Sequence, residues 1–173
     1  MNKILWLIII LPLFILGCTS NVNKENKITK KINSLELNIF SKSGDKKYSI
    51  TSPYSIYDNI EDEFHFKKTT INIFYGGRTK YIINSDESTL SDNNKIVKLN
   101  GNVKLKTTSQ DEDYLFADSF IWNIDETIYL LTGNIRFENK NVILTSSKAK
   151  LGADNIIEFY NPVKYTIRDE NYK

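Results

Sequence analysis

Leu99-Asn100-Gly101-Asn102-Val103-Lys104-Leu105 and Leu131-Thr132-Gly133-Asn134-Ile135-Arg136-Phe137 are one phrase written twice, 32 residues apart. A third version, Phe159-Tyr160-Asn161-Pro162-Val163-Lys164-Tyr165, follows 28 residues later; it keeps the apolar pattern and loses the glycine. Both spacings are even, so each copy presents the same parity of side chain to one face of a sheet. A short recurrent unit of this kind stacks on copies of itself. The spacing therefore predicts an elongated β structure rather than a compact enzyme domain.

Outward from these copies the period stays at two. Val97, Leu99, Gly101, Val103 and Leu105 alternate with Lys98, Asn100, Asn102, Lys104 and Lys106. Tyr129, Leu131, Gly133, Ile135 and Phe137 form the second apolar set, and Ile157, Phe159, Val163, Tyr165 and Ile167 the third. Each is a strand with one buried face, and a slip of one residue would carry lysines inward. Gly76-Gly77 predicts a tight hairpin between Ile71–Tyr75 and Lys80–Asn84. Turns are also expected at Ser41–Asp45, Asp92-Asn93-Asn94, Asp125-Glu126, Asn139-Lys140-Asn141 and Gly152–Asn155. Ten Tyr and nine Phe against three Pro fit strands, and no amphipathic helix follows the first segment. The fold class is all-β, an open, twisted trough of antiparallel strands built from short repeats. Gly101 and Gly133 lie on the apolar face, where glycine serves a backbone bend or the close approach of a ligand.

The chain opens with Lys3 and an apolar run from Ile4 to Leu16, shorter than a membrane-spanning helix needs. Its end, Ile15-Leu16-Gly17-Cys18, resembles the lipobox of bacterial lipoproteins. That resemblance implies a signal peptide over residues 1–17 and acylation of Cys18, the only cysteine. Residues 18–31 read as the lipidated cysteine and a flexible polar tether, and residues 32–173 as one β domain. Removing residues 1–17 takes away Lys3 and no acid, leaving a net charge of +1. Near-neutrality argues against nucleic acid as a partner.

Catalytic chemistry is absent from the sequence. His65, the sole histidine, sits between Phe64 and Phe66 in a strand-like run. Glu61-Asp62-Glu63 and Asp111-Glu112-Asp113 read as solvated loops, not metal sites. No phosphate-binding glycine loop and no zinc spacing occur. The expectation is a protein that is not an enzyme and needs neither cofactor nor metal.

Taken in order, Phe40…Gly44…Tyr48-Ser49-Ile50, Ile71-Asn72-Ile73-Phe74-Tyr75, Ser85-Asp86, the first glycine phrase, Ala117-Asp118 and the second phrase form a pattern. It resembles the lipopolysaccharide export protein LptC family over about Leu35–Ile167. The resemblance implies an OstA-like β-jellyroll whose trough receives the acyl chains of lipopolysaccharide. The implied lining is Val97, Leu99, Val103, Leu105, Trp122, Tyr129, Leu131, Ile135, Phe137, Phe159, Val163 and Tyr165. Implied partners are lipopolysaccharide, an inner-membrane ABC exporter and a periplasmic OstA-like bridge protein, the proteins joined by edge-strand pairing through Leu35–Phe40 or Ile156–Ile167. The implied location is the periplasmic face of the inner membrane, or the outer membrane, held by the lipid anchor. Members of the family commonly use an uncleaved transmembrane helix instead, and the third phrase here lacks the Gly-Asn pair. The residues alone also fit a structural or adhesive β-sandwich lipoprotein whose apolar face is a closed core.

Overall fold

The computed structural model describes residues 29–168, apart from 92, 94, 109–112, 127, 153–155 and 161. The apolar first segment, Cys18 and most of the expected tether lie outside the described residues. Ten strands follow in order: β1 Thr29–Phe40, β2 Lys46–Asp58, β3 Glu63–Tyr75, β4 Arg78–Ser91, β5 Ile96–Thr107, β6 Tyr114–Asn123, β7 Tyr129–Glu138, β8 Val142–Leu151, β9 Ile157–Tyr160 and β10 Lys164–Ile167. Each of β1 to β8 pairs antiparallel with the next, and β8 carries both β9 and β10 on its far side. β1 begins at Thr29, so residues 29–31, read from sequence as tether, already pair with Asp58, Tyr57 and Ile56.

Turn chemistry sets the hairpins. Gly76 and Gly77 have φ of +57° and +75°, the left-handed pair that a two-residue hairpin requires. Asn139 Oδ1 accepts the Asn141 and Val142 N–H groups, and Ser41 Oγ accepts that of Asp45. Side-chain acceptors thus replace the ladder partners that these residues lack.

The sheet folds onto itself. In a flat sheet β2 and β6 would lie about 19 Å apart, yet the Tyr48 and Trp122 rings meet edge to face at 4.9 Å. Phe137 on β7 likewise reaches Phe159 on β9, across β8, at 6.3 Å. The fold line crosses every strand near its middle. Irregular backbone marks it: Ser34 on β1, Lys68 on β3, Gly101-Asn102 on β5 and Gly133-Asn134 on β7 all have positive φ. The register shifts there, between Asn84 and Glu87, Asn100 and Val103, Phe116 and Ser119, and Thr132 and Ile135. The third phrase is divided between β9, which ends at Tyr160, and β10, which starts at Lys164. Leaf I comprises the strand halves that carry Ile50, Ile71 and Leu105; leaf II comprises those that carry Phe66, Leu99 and Leu131.

Breaking a ladder orphans backbone groups, and short polar side chains collect them. Ser52 Oγ reaches the carbonyls of Tyr54 and Lys67 at 2.7 and 2.8 Å. Ser85 Oγ donates to the Glu87 carbonyl and Ser146 Oγ to that of Lys148. Between strands, Asn102 Nδ2 donates to Asp86 Oδ2 at 2.6 Å, and Asn134 Nδ2 to Asp118 Oδ2 at 2.8 Å. These pairs explain the glycines. A Cβ on Gly133 would stand 2.5 Å from Asp118 Oδ2, and one on Gly101 would stand 3.0 Å from Asp86 Oδ2.

Two phenols, Tyr48 and Tyr81, are buried between the leaves, and Tyr129 is half-buried beside them. Tyr48 is 1 % exposed, and burial, with the charge of Asp125 adding to it, holds its pKa far above the usual value of 10. Burial pushes Tyr81 up to about 12, with Tyr129 adding to the effect, and Tyr129 is itself raised by burial.

Gly133→Ala is expected to lower unfolding stability by about 2 kcal/mol and Gly101→Ala by about 1 kcal/mol, because both are strained and only Gly133 is tightly blocked. Urea melts of the two variants check the order. Raised phenol pKa values stabilise the fold fully below pH 10, and that contribution fades as pH climbs from 10 towards about 12. Tyrosinate absorbance should therefore leave Tyr48 and Tyr81 silent at pH 11 until the protein unfolds.

Candidate functional site

The interior is built from rows that cross the sheet in register. In leaf I one row takes a residue from each strand: Leu37, Ile50, Ile71, Ile83, Leu105, Leu115, Phe137, Leu144 and, on β10, Tyr165. In leaf II the matching row is Ile32, Ser55, Phe66, Ser88, Leu99, Phe120, Leu131, Ala149 and Phe159. Paired residues in a ladder share a face, so each row is a continuous interior stripe. Burial changes along it. Ile50 to Leu115 are enclosed, Phe137 and Leu144 are half-buried, and Tyr165 is 63 % exposed. The interior is thus packed in the middle and uncovered at the C-terminal edge.

The twelve residues read from sequence as a lining divide accordingly. Val97, Leu99, Val103, Leu105, Trp122, Leu131 and Ile135 are fully buried in the packed middle. Tyr129, Phe137 and Phe159 are half-buried against it. Val163 and Tyr165 are exposed at the edge. Sequence alternation missed Tyr48, Ile50, Phe66, Phe120 and Leu90 because the inward parity switches at the fold line. On β6, for instance, Leu115 and Ala117 face inward before it and Phe120 and Trp122 after it. β5 and β7 keep their parity, because each inserts one extra residue as a bulge at the glycine phrase.

Space remains between the leaves. A gap of about 100 Å³ is lined by Tyr81, Leu105, Leu115, Phe137, Leu151 and Ile157, with Thr107, Asp113 and Tyr114 at its polar side. Just outside it a hollow of about 440 Å³ opens at the β3–β4 hairpin, lined by Tyr75, Arg78, Thr79, Lys80, Tyr81, Thr107, Thr108 and Asp113. A groove of about 450 Å³ crosses β1 to β5 of leaf II, walled by Tyr54, Ile56, His65, Lys67 and Thr89 among others. Ile32, Ser55, Phe66 and Ser88 of the interior row line it as well, between these outward-facing side chains.

The acid-rich β2–β3 hairpin brings Glu61, Glu63 and His65 within 4.8 Å of one another. None of the three is fully buried, so nothing fixes a coordination geometry there.

Comparison with known proteins places this geometry in a family. The family model described as "Lipopolysaccharide-assembly, LptC-related" matches residues 4–129. The match starts earlier than Leu35 and stops at the first residue of β7, so the second glycine phrase lies beyond it. No curated protein matches the sequence. Among solved structures, the fold is similar to that of LptH from Pseudomonas aeruginosa, the LptA-homologous periplasmic component of the lipopolysaccharide transport device. The TM-score is 0.57 at 8 % identity, over 70 % of this chain and 95 % of that one. So low an identity carries the fold alone, while the family match spans most of the sequence. The folded, edge-open meander and that match agree, and the chain belongs to the LptC-related family of lipopolysaccharide-assembly proteins.

Proposed function

We propose that this protein holds the acyl chains of lipopolysaccharide between its two leaves and passes the lipid from an inner-membrane exporter to the next jellyroll protein. The observation that carries this reading is the interior stripe that runs from edge to edge and ends uncovered. On β10 every residue is exposed, including Tyr165 and Ile167 at 63 % and 68 %, and Val163 just before it at 49 %. A self-sufficient sandwich protects such an edge with charges or short strands. Among the described residues, β10 is short and carries Lys164, and Arg168 after it pairs with Glu138 and the Asn139 carbonyl. A strand added at either β1 or β9–β10 would extend both the ladder and the stripe.

Burying an acyl chain of about a dozen methylenes is worth on the order of 10 kcal/mol relative to water. Relative to a bilayer it is worth little, because the chain is already dry. The protein therefore acts as a conduit, and the work of extraction comes from the exporter. An anchor at Cys18 would hold the conduit at the periplasmic face of the inner membrane.

The closed packing of Leu99, Leu131 and Ile135 favours the second reading, a sandwich whose interior is only a core. A charge at Leu131 would unfold the protein under either reading, so the informative positions are those near the edge. In-cell photo-crosslinking from Phe159 and Tyr165, with Arg136 and Lys164 as outward controls, separates the two. The expected result is lipopolysaccharide adducts at Phe159 and Tyr165 alone. No adduct at any of the four, with crosslinker incorporated and export running, would establish the closed sandwich.

A further inference from the structure

The hollow at the β3–β4 hairpin differs in chemistry from the interior it adjoins. Arg78 and Lys80 stand in it with no carboxylate partner among the described residues. Lys80 Nζ lies 5.2 Å from the ring centres of both Tyr75 and Tyr81. The π faces hold the ammonium in place and leave its donors free. Among the described residues, the lining sets Arg78 and Lys80 against one carboxylate, Asp113. Thr107 Oγ1 is taken by the Asp113 N–H, and Thr108 Oγ1 by the Thr79 carbonyl, which fixes the polar wall.

Tyr81, Thr107 and Asp113 line both this hollow and the gap between the leaves. A vestibule that holds Arg78 and Lys80 therefore meets an apolar slot at Tyr81, Thr107 and Asp113. That juxtaposition fits a molecule with a phosphate set a few bonds from an apolar chain. We propose that the hollow is a headgroup site for a phosphate-bearing acylated lipid. Arg78 and Lys80 bind the phosphate, and an acyl chain runs past Tyr81 towards Leu105, Leu115 and Phe137. Arg78 supplies a two-pronged donor and Lys80 a point charge, so the pair accepts phosphate monoesters and diesters alike. The proposal rests on the interior being an acyl-binding lumen, and adds where lipid enters it.

The test places a photo-crosslinking residue at Thr108 or Phe137 of the full chain. The probe is the bisphosphorylated acyl-disaccharide core of lipopolysaccharide in mixed micelles, compared with its dephosphorylated form. Thr108 should label with the phosphorylated probe and lose about tenfold or more with the dephosphorylated one or with Arg78→Gln/Lys80→Gln, since a single charge-assisted hydrogen bond is already worth about that factor. Arg78→Lys should restore part of the labelling. Both cations are at the surface, so the double variant should melt as the wild type does. Equal labelling with and without phosphate overturns the headgroup site. So does complete competition by millimolar inorganic phosphate, which would mark a free-anion site. Labelling at Phe137 with none at Thr108 removes the port and leaves the lumen standing; silence at both removes the lumen as well.

Discussion

The amide of Asn134 against the carboxylate of Asp118, at 2.8 Å, sits at the tightest point of a bend that the whole sheet makes at one level. A β-sheet cannot close on itself without interrupting its ladder, and an interrupted ladder leaves buried donors and acceptors exposed to no water. This chain meets that constraint strand by strand. Serines on β2, β4 and β8 take up carbonyls, and β5 and β7 pass through a left-handed Gly-Asn step. With the bend in place, Tyr48 meets Trp122 and Tyr81 approaches Tyr129, and the two leaves share one core. Without it the same sequence would be a flat ribbon with one greasy face.

Much of this was legible in the sequence, and what was not has a physical cause. The alternation and the turn residues found nearly every strand and hairpin, because those signals are local. The glycine phrases marked the bend on β5 and β7. They could not mark it on β2, β4, β6 or β8, where Ser52-Pro53, Ser85-Asp86, Ala117-Asp118 and Ser146-Ser147 do the same job without glycine. Each of those corners flips the inward parity, so an alternation followed across it assigns the wrong face to half of the strand. The contact of Tyr48 with Trp122 is invisible for a different reason: it joins residues 74 apart through the folding of the sheet. The hollow at Arg78 and Lys80 did leave a trace, in the run Tyr75-Gly76-Gly77-Arg78-Thr79-Lys80-Tyr81, where cations stand between tyrosines around a tight turn.

Membership of the LptC-related family places the protein among the non-enzymatic proteins of lipopolysaccharide assembly. The structure adds a physical condition to that role. Its middle is close-packed, and the gap between its leaves at Leu105 and Phe137 has room for only a few methylenes. Of the side chains around that gap, Tyr81, Leu105, Leu115 and Leu151 are buried while Phe137 and Ile157 are half-buried, and the uncovered stripe lies beyond these two on β10. Separation of the leaves therefore costs least from the C-terminal edge inward. The enclosed residues on β5 and β6, including Leu99 and Phe120, are those that such an opening reaches last.

Asp86 with Asn102 and Asp118 with Asn134 occupy equivalent places in successive strand pairs, 32 residues apart. Each such pair is a complete tile: it brings its own corner, its own clamp and two more residues for every interior row. Adding or deleting one tile would change the span of the sheet by about 10 Å, two strand spacings, and leave both edges as they are. Distance is thus written into this architecture as a whole number of tiles, and a chain of this design can be cut to fit the gap it has to cross.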